Sequence, residues 1–591
     1  MKTRSRRTLR FLAVLAGLSL APGCGGRPAS WNDPISTGEP SAPSYGLTNG
    51  VAIVDDGAHR VVVLTVQPDL SLKTQSVTIG HQVVAVAVSP DATQLFVLSA
   101  GDSPQRTAND ELPSLTVVGI SDDFQAESSV YPMSEALGSL AVDPSGQWAV
   151  AYSGATPTAA SGPIISGTSA SSTGIPPGTS TPFGTAGTAP TFVQNPNEIV
   201  IFDLKNPGTE VKRTLQSFGG TPQRLVFTPE LELPAGKGPR RLLLIETDID
   251  LTMLDLNHAF DPSPRPEITV PLTSSATAVK VTPAGVVVDG HNASDPNDAR
   301  FAVWSSNDTN VFAIQLVAPT TDLRNDFQPQ INLTDVGGIP TDVAFVETSG
   351  AGGSSALQLA ALVPQKSAAV LIDPDTSVTT TVTLPAAYSN LSLVTSIVSG
   401  TTTTPTTMPA TTPMPDVALL WNAATAAASG VALWSLGDSV AQPYRSVQAL
   451  GTTQPVKSAI DVPPPNQTRK VLQMSSNEGF YVLDLIGGTA PPLTTSSSAS
   501  LSISPFGEMI WAYTPSGTDL AAIDFKTLNP VPLTTDLAIT AVFEVRTPRA
   551  QKRPALVAMH DTGALGATVF DAVTPATATS RRTGALLVEA P

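Results

Sequence analysis

The chain is predicted to be all-β, on three observations. Its 591 residues include 54 prolines and 44 glycines, and only 14% are charged. In place of Lys, Glu and Leu it uses Val, Thr, Ser, Ala and Pro, which suit short strands joined by tight turns. After residue 24 no amphipathic helix of three or more turns can be picked out, and one four-strand unit recurs along the chain.

The unit is an apolar strand ending in a turn, a second apolar strand, a third of the form apolar-apolar-Asp-Leu, and a Thr/Val-rich fourth. Its clearest copy opens at Val84-Ala85-Val86-Ala87-Val88-Ser89-Pro90-Asp91-Ala92-Thr93-Gln94 and runs on into Leu95-Phe96-Val97-Leu98-Ser99. The opening turn recurs as Val142-Asp143-Pro144-Ser145-Gly146, Phe227-Thr228-Pro229, Val281-Thr282-Pro283 and Ile503-Ser504-Pro505-Phe506-Gly507. Proline has no ladder donor, so it is placed just past the strand, where it helps set the turn.

The third strand marks the period best. It reads Ile201-Phe202-Asp203-Leu204, Met253-Leu254-Asp255-Leu256, Leu371-Ile372-Asp373, Val482-Leu483-Asp484-Leu485, Ala522-Ile523-Asp524-Phe525 and Val569-Phe570-Asp571. Copies without the Asp fit at Val61–Val66, Leu115–Ile120, Val311–Leu316 and Val431–Leu436. These are about ten occurrences, most of them roughly 40–60 residues apart. Four short strands at that period are the signature of propeller blades, which bury their faces only against neighbouring blades. An Asp that closes strand after strand is expected to accept turn amides, since a catalytic group would not recur in almost every blade.

With its Val-Ser-Pro-Asp-x-x-x-Leu-Phe-Val segment, the chain resembles the lactonase-like, surface-layer-type (YVTN-like) propeller family over about residues 45–590. That resemblance implies a β-propeller and says little about activity; the family usually has seven or eight blades, whereas the repeats here give about 8–10, as one large ring or two fused propellers. The first unit is expected to begin at Gly50, with the C-terminal Ala585-Leu586-Leu587-Val588-Glu589 completing it and covering two edges. Two stretches break the pattern: Gly154–Thr191, rich in Ser, Thr, Gly and Pro without a charge, and the Thr/Pro-rich Gly400–Pro415. Both lack the apolar content to pack and read as disordered inserts.

Residues 1–23 read as an export signal: five basic residues, the apolar run Phe11–Leu20, then small residues. The run is too short for a stable membrane span. Cys24, the only cysteine, follows Gly23 and resembles the lipidated cysteine of a bacterial lipobox, with Ala21 where that pattern prefers Leu. Ser5-Arg6-Arg7-Thr8-Leu9 resembles a twin-arginine motif, so general secretion and twin-arginine export both stay open. Residues 24–44 are then a lipidated, flexible tether, and 45–591 the propeller. By the scaling of about 5–6 Å per square root of residue number, the tether reaches some tens of ångströms.

Losing Lys2, Arg4, Arg6, Arg7 and Arg10 with the signal takes the formal charge from −17 to −22. So acidic a surface repels phosphate backbones, which excludes nucleic acid as a partner and leaves the lipid as the membrane contact. Candidate chemistry is sparse. The five histidines, His59, His81, His258, His291 and His560, stand apart in sequence. No metalloprotease helix, nucleophile elbow or phosphate-binding glycine loop is present. His59 and His560 fall in equivalent turns of the first and last blades, where Asp55, Asp56 and Asp561 are the nearby carboxylates for a metal; tolerance of left-handed backbone explains the turn better.

Glu246-Thr247-Asp248-Ile249-Asp250 reads as a solvated acidic turn that lacks the glycine and closing glutamate of a calcium loop, and Asp373-Pro374-Asp375 fails the same test. Trp148, Trp304, Trp421, Trp511 and Trp434 recur at comparable blade positions and are expected between blades rather than on a sugar-stacking surface. No catalytic, cofactor or metal residue is assigned. The expected protein is a lipid-anchored, non-enzymatic binding or scaffold propeller of the bacterial envelope, with an unknown protein or glycan partner. A metal-dependent, lactonase-like hydrolase and an envelope-assembly scaffold are the alternatives.

Overall fold

In the computed structural model, the described residues run from 43 to 583. The longest stretches left out between them are 155–180, 183–194 and 395–416. Cys24 and the tether up to residue 42, most of the first expected insert and all of the second, and the segment 585–589 therefore lie outside the described residues. Those residues form ten four-stranded antiparallel sheets, each with its strands in chain order. The blades span 44–78, 83–132, 139–214, 222–271, 283–335, 342–383, 390–450, 456–493, 500–534 and 539–583. All ten predicted third strands are third strands. Blade 2 carries a fifth, the two-residue strand Thr181–Pro182, which pairs with Val86 and Ala85. Among the described residues no helix is long and apolar enough to cross a membrane.

The first strand of each blade is the innermost. Ser44–Leu47 meets Ile539–Arg546, Val83–Val88 meets Ser139–Val142, and Asp342–Ser349 meets Asn390–Val394. Fourth strands face outward, and their side chains alternate with solvent, as in Glu210–Thr214 and Pro530–Thr534. Second and third strands are buried on both faces. A strand sends successive side chains to opposite faces, so in Gly50–Asp55 the residues Val51 and Ile53 pack toward blade 10 while Ala52 and Val54 pack toward blade 2. This is why these strands read as unbroken apolar runs.

The core is accordingly ten apolar clusters among the described residues, each spanning one pair of neighbouring blades. They run blade to blade from the 1–2 interface through 2–3 and 3–4, 4–5 and 5–6, 6–7 and 7–8, to 8–9 and 9–10. The tenth joins Phe543, Val545, Val557 and Val569 of blade 10 to Val51, Ile53, Val62 and Leu64 of blade 1. The chain is one closed ring of ten blades, not two fused propellers.

Three expectations are corrected. Blade 1 starts at Ser44, not Gly50: Ser44–Leu47 pairs with Gly50–Ile53 and fills the inner position that the C-terminal segment was expected to take. The strand was missed because Tyr45-Gly46-Leu47 is too short to show a period. Thr228-Pro229 is a bulge within the long first strand Pro222–Leu233, marked by a register shift between Phe227 and Glu230. Pro283 starts a first strand rather than following one. Both placements spare a ladder hydrogen bond, so proline is tolerated at either.

Closure of the ring is tight at Gly46, where an added Cβ would lie 2.7 Å from Cδ1 of Phe543. Phe543→Ala is expected to cost about 3–5 kcal/mol, measured by urea unfolding of the whole chain. An unchanged midpoint would mean that the contact between blades 10 and 1 does not hold the ring.

Candidate functional site

Antiparallel order divides the turns between two faces. One face carries the turns joining first to second and third to fourth strands. The other carries the second-to-third turns and the crossovers between blades. On the first face the recurrent Asp does what the repeat suggested. Oδ1 accepts from the backbone N–H two residues on in Asp203, Asp255, Asp373, Asp524 and Asp571. The Ser-Pro-Asp turn is closed the same way, with Ser89 Oγ accepting from Thr93 and Gln94 N–H. These are turn fasteners.

Two places among the described residues gather a histidine with carboxylates of different turns. On the crossover face, between blades 1 and 2, the imidazole of His81 lies between two carboxylates. Nδ1 is 3.1 Å from Asp102 Oδ1 and Nε2 is 3.0 Å from Glu111 Oε2. Both hydrogen bonds form together only with one proton more than a neutral ring and two carboxylates carry. The Glu111 N–H donates to Asp102 Oδ2 at 2.8 Å; that bond first, and the one from His81, hold the exposed Asp102 carboxyl below its ordinary range. The ring of His59 is tilted over His81 with centroids 3.8 Å apart, and its Nδ1 is buried without a hydrogen-bond partner.

On the opposite face, between blades 4 and 5, Asp255, His258 and Asp326 each offer one ligand atom within 4.8 Å of the others. Asp255 ends the third strand of blade 4, and His258 closes the 3-10 turn Leu256–His258 that follows. Asp326 arrives from the same connection of blade 5. Burial raises the Asp255 carboxyl above its ordinary range, against the nearby His258 and Arg240 and its turn hydrogen bonds. Lys237 Nζ is 2.7 Å from Asp326 Oδ1 and Arg240 Nε is 3.5 Å from Asp255 Oδ2.

The other proposed constellations separate. His560 is not in a turn but inside the second strand Pro554–Asp561, fully buried, with Nδ1 3.0 Å from the Ala538 carbonyl and Nε2 2.8 Å from Thr568 Oγ1. His59 has met His81 instead, while His560 lies within a ladder of seven residue pairs where the matching ladder of blade 1 has five. Asp55 pairs with the buried Arg60 at 2.8 Å, and Asp56 Oδ1 accepts from Val83 N–H. The acidic turn at 246–250 is not wholly solvated. Glu246 is buried against Arg224, Asp250 is buried on Thr247 Oγ1, and Asp248 alone is exposed. Asp373 Oδ1 accepts from Asp375 N–H while Asp375 pairs with Arg300, so that pair also fastens structure. The five blade tryptophans are all buried in inter-blade clusters.

Two of these clusters were missed in the sequence. Asp255 and His258 stand three apart in Asp255-Leu256-Asn257-His258, a visible pairing, but Asp326 comes from the next blade and only the ring brings it in. The same holds for His81, Asp102 and Glu111, collected from a crossover and a turn.

No protein-family model and no curated protein sequence matches this chain. Solved structures similar to it include a dihydro-haem d1 dehydrogenase, at 11% identity over 88% of this chain and 83% of that one, TM-score 0.35. The Saccharomyces cerevisiae protein Sqt1 is 11% identical over 62% of this chain and 89% of that one, TM-score 0.34. A protein of unknown function from Desulfotomaculum acetoxidans is 10% identical over 76% and 96%, TM-score 0.29. At these values none of them speaks to what this chain does. The class is set by the chain's own strands: a ten-bladed β-propeller.

Buried carboxyls make its stability depend on pH. Glu544, on the innermost strand of blade 10, receives the indole N–H of Trp511, and burial pushes its carboxyl up to about 7 against that bond. A group whose folded value is raised stabilises the fold fully below its unfolded value, near 4.5. That contribution is lost as pH rises through about 7. Denaturant midpoints are expected to fall between pH 5 and pH 8 by an amount on the order of 3 kcal/mol, and Glu544→Gln is expected to flatten the fall. A wild-type and variant pair with parallel pH profiles would refute the assignment.

Proposed function

We propose that this chain is a lipid-anchored binding or scaffold propeller of the bacterial envelope, held to the membrane through Cys24. The observation that supports a binding role is how its polar groups are spent. Strand-closing aspartates fasten turns, buried carboxyls are held by neighbouring donors, and tryptophans fill blade interfaces. What the ring then presents is two broad loop faces on a chain of net negative charge. A surface of this kind suits recognition of a protein or glycan by many shallow contacts. The acidic charge favours a partner face that is neutral or basic.

The hydrolase alternative places a divalent metal in the central channel. The group among the described residues whose ligand atoms all lie within 4.8 Å of one another, Asp255-His258-Asp326, stands between third and fourth strands on the outer half of the ring, which does not favour that reading.

The anchor and the binding role are tested separately. Cys24→Ser is expected to move the protein from the membrane fraction to the soluble fraction, read by fractionation and by loss of labelled fatty acid. Retention in the membrane would reject the anchor. Crosslinking in intact cells, followed by purification in detergent, is expected to recover a stoichiometric protein or glycan partner in wild type. Recovery of the chain by itself at every crosslinker length would reject the binding role.

A further inference from the structure

We propose that Asp255, His258 and Asp326 form a site for one zinc-class divalent cation, which clips blade 4 to blade 5. This inference stands independently of the binding role. Its first support is geometric: one ligand atom from each residue lies within 4.8 Å of the others, two from blade 4 and one from blade 5.

The second support is the state of the donor atoms. The ring of His258 has Nδ1 3.0 Å from Asp261 Oδ2. A carboxylate can only accept there, so Nδ1 carries a proton and Nε2 is the nitrogen that faces Asp326 and is available to a metal. This is the carboxylate–imidazole pairing that orients metal-binding histidines. Nε2 in turn stands 3.9 Å from Asp326 Oδ2, beyond hydrogen-bond range. Two ligands at bond lengths of about 2.0–2.2 Å around one ion stand roughly 3.0–3.6 Å apart, so His258 and Asp326 need to close by well under an ångström and the group as a whole by about an ångström.

Asp255 supplies the independent pointer to a ligand. Only 2% of it is exposed. Its carboxyl accepts from the Asn257 and His258 N–H groups of its own turn, and its one charged neighbour at Oδ2, Arg240 Nε, stands off at 3.5 Å. A buried carboxylate held only by turn amides and a long ion pair is costly. A cation bridging to His258 and Asp326 resolves it.

One imidazole nitrogen with two carboxylates is a borderline donor set. It favours Zn2+ over Ca2+ or Mg2+, which prefer oxygen ligands throughout. Lys237, 43% exposed at its side chain, holds the other oxygen of Asp326 at 2.7 Å. It is the resident competitor and can swing to solvent when the ion enters. Because the ligands come from adjacent blades, the ion adds a cross-link at the 4–5 interface and does no chemistry.

The test uses the full chain, stripped with chelator and then titrated with Zn2+ in competition with a chromophoric chelator, with thermal midpoints read in parallel. One Zn2+ per chain is expected, with a raised midpoint, and Ca2+ or Mg2+ at the same concentration should not raise it. His258→Gln and Asp326→Asn are each expected to weaken binding at least about 100-fold, and Asp261→Asn about 10-fold. Lys237→Met is expected to tighten binding, a change that mere damage to the fold would not produce. If His258→Gln fails to fold, Asp326→Asn carries the same test. Absence of bound Zn2+, or binding unchanged in Asp326→Asn and Lys237→Met, overturns the site; retained binding that is lost in His81→Gln would place it at the other histidine cluster.

Discussion

Everything in this structure depends on burial of each inner strand from both sides. A blade's second strand sends alternate side chains to the blade before it and the blade after it, so no blade owns a complete core. Val51 and Ile53 of blade 1 have their partners in blade 10, and Ala52 and Val54 have theirs in blade 2. The ring must therefore close, and it closes by apolar contact, with each end blade built wholly from its own stretch of chain. Phe543 packs against Gly46 where the two ends meet, and beside it the Arg546 N–H donates to the Thr48 carbonyl at 2.8 Å. Stability passes around the ring interface by interface.

Two-sided burial also decides where charge can stand. Strand interiors leave room for few ionisable groups, and those present are held by specific neighbours, as Arg60 is by Asp55 and Glu544 by Trp511. The remaining carboxylates are pushed to the turns, where they satisfy backbone amides. Only where turns of adjacent blades converge do several such groups meet. The 1–2 and 4–5 interfaces are two such places among the described residues, one on each face: His81 of a crossover meets Asp102 and Glu111 of blade 2, and Asp255 and His258 of blade 4 meet Asp326 of blade 5. They arise from the same geometry that builds the core.

The repeat was legible because its chemistry is local. An apolar run ending in Asp needs the Asp to catch amides two residues on, so six of the ten third strands carried that mark and the other four showed by their apolar run and spacing, while four of the tryptophans marked second strands. Ser44–Leu47 was not legible, being four residues long with a glycine inside it. His560 was misplaced because a turn histidine and a strand-end histidine look alike when the strand length varies by a residue or two. Asp326 carried no signal pointing to Asp255, from which the chain separates it by a whole strand system.

By itself, then, the amino-acid sequence determined the fold class, the strand pattern, the recurrent turn chemistry and the inter-blade place of the tryptophans, since each depends on contacts within a few residues. The closed count of ten and the inner position of Ser44–Leu47 were decided only in three dimensions. So were the partnering of His81 with His59, and the meeting of Asp255 and His258 with Asp326. These depend on which blades become neighbours and which turns then face one another, and that follows from closing the ring.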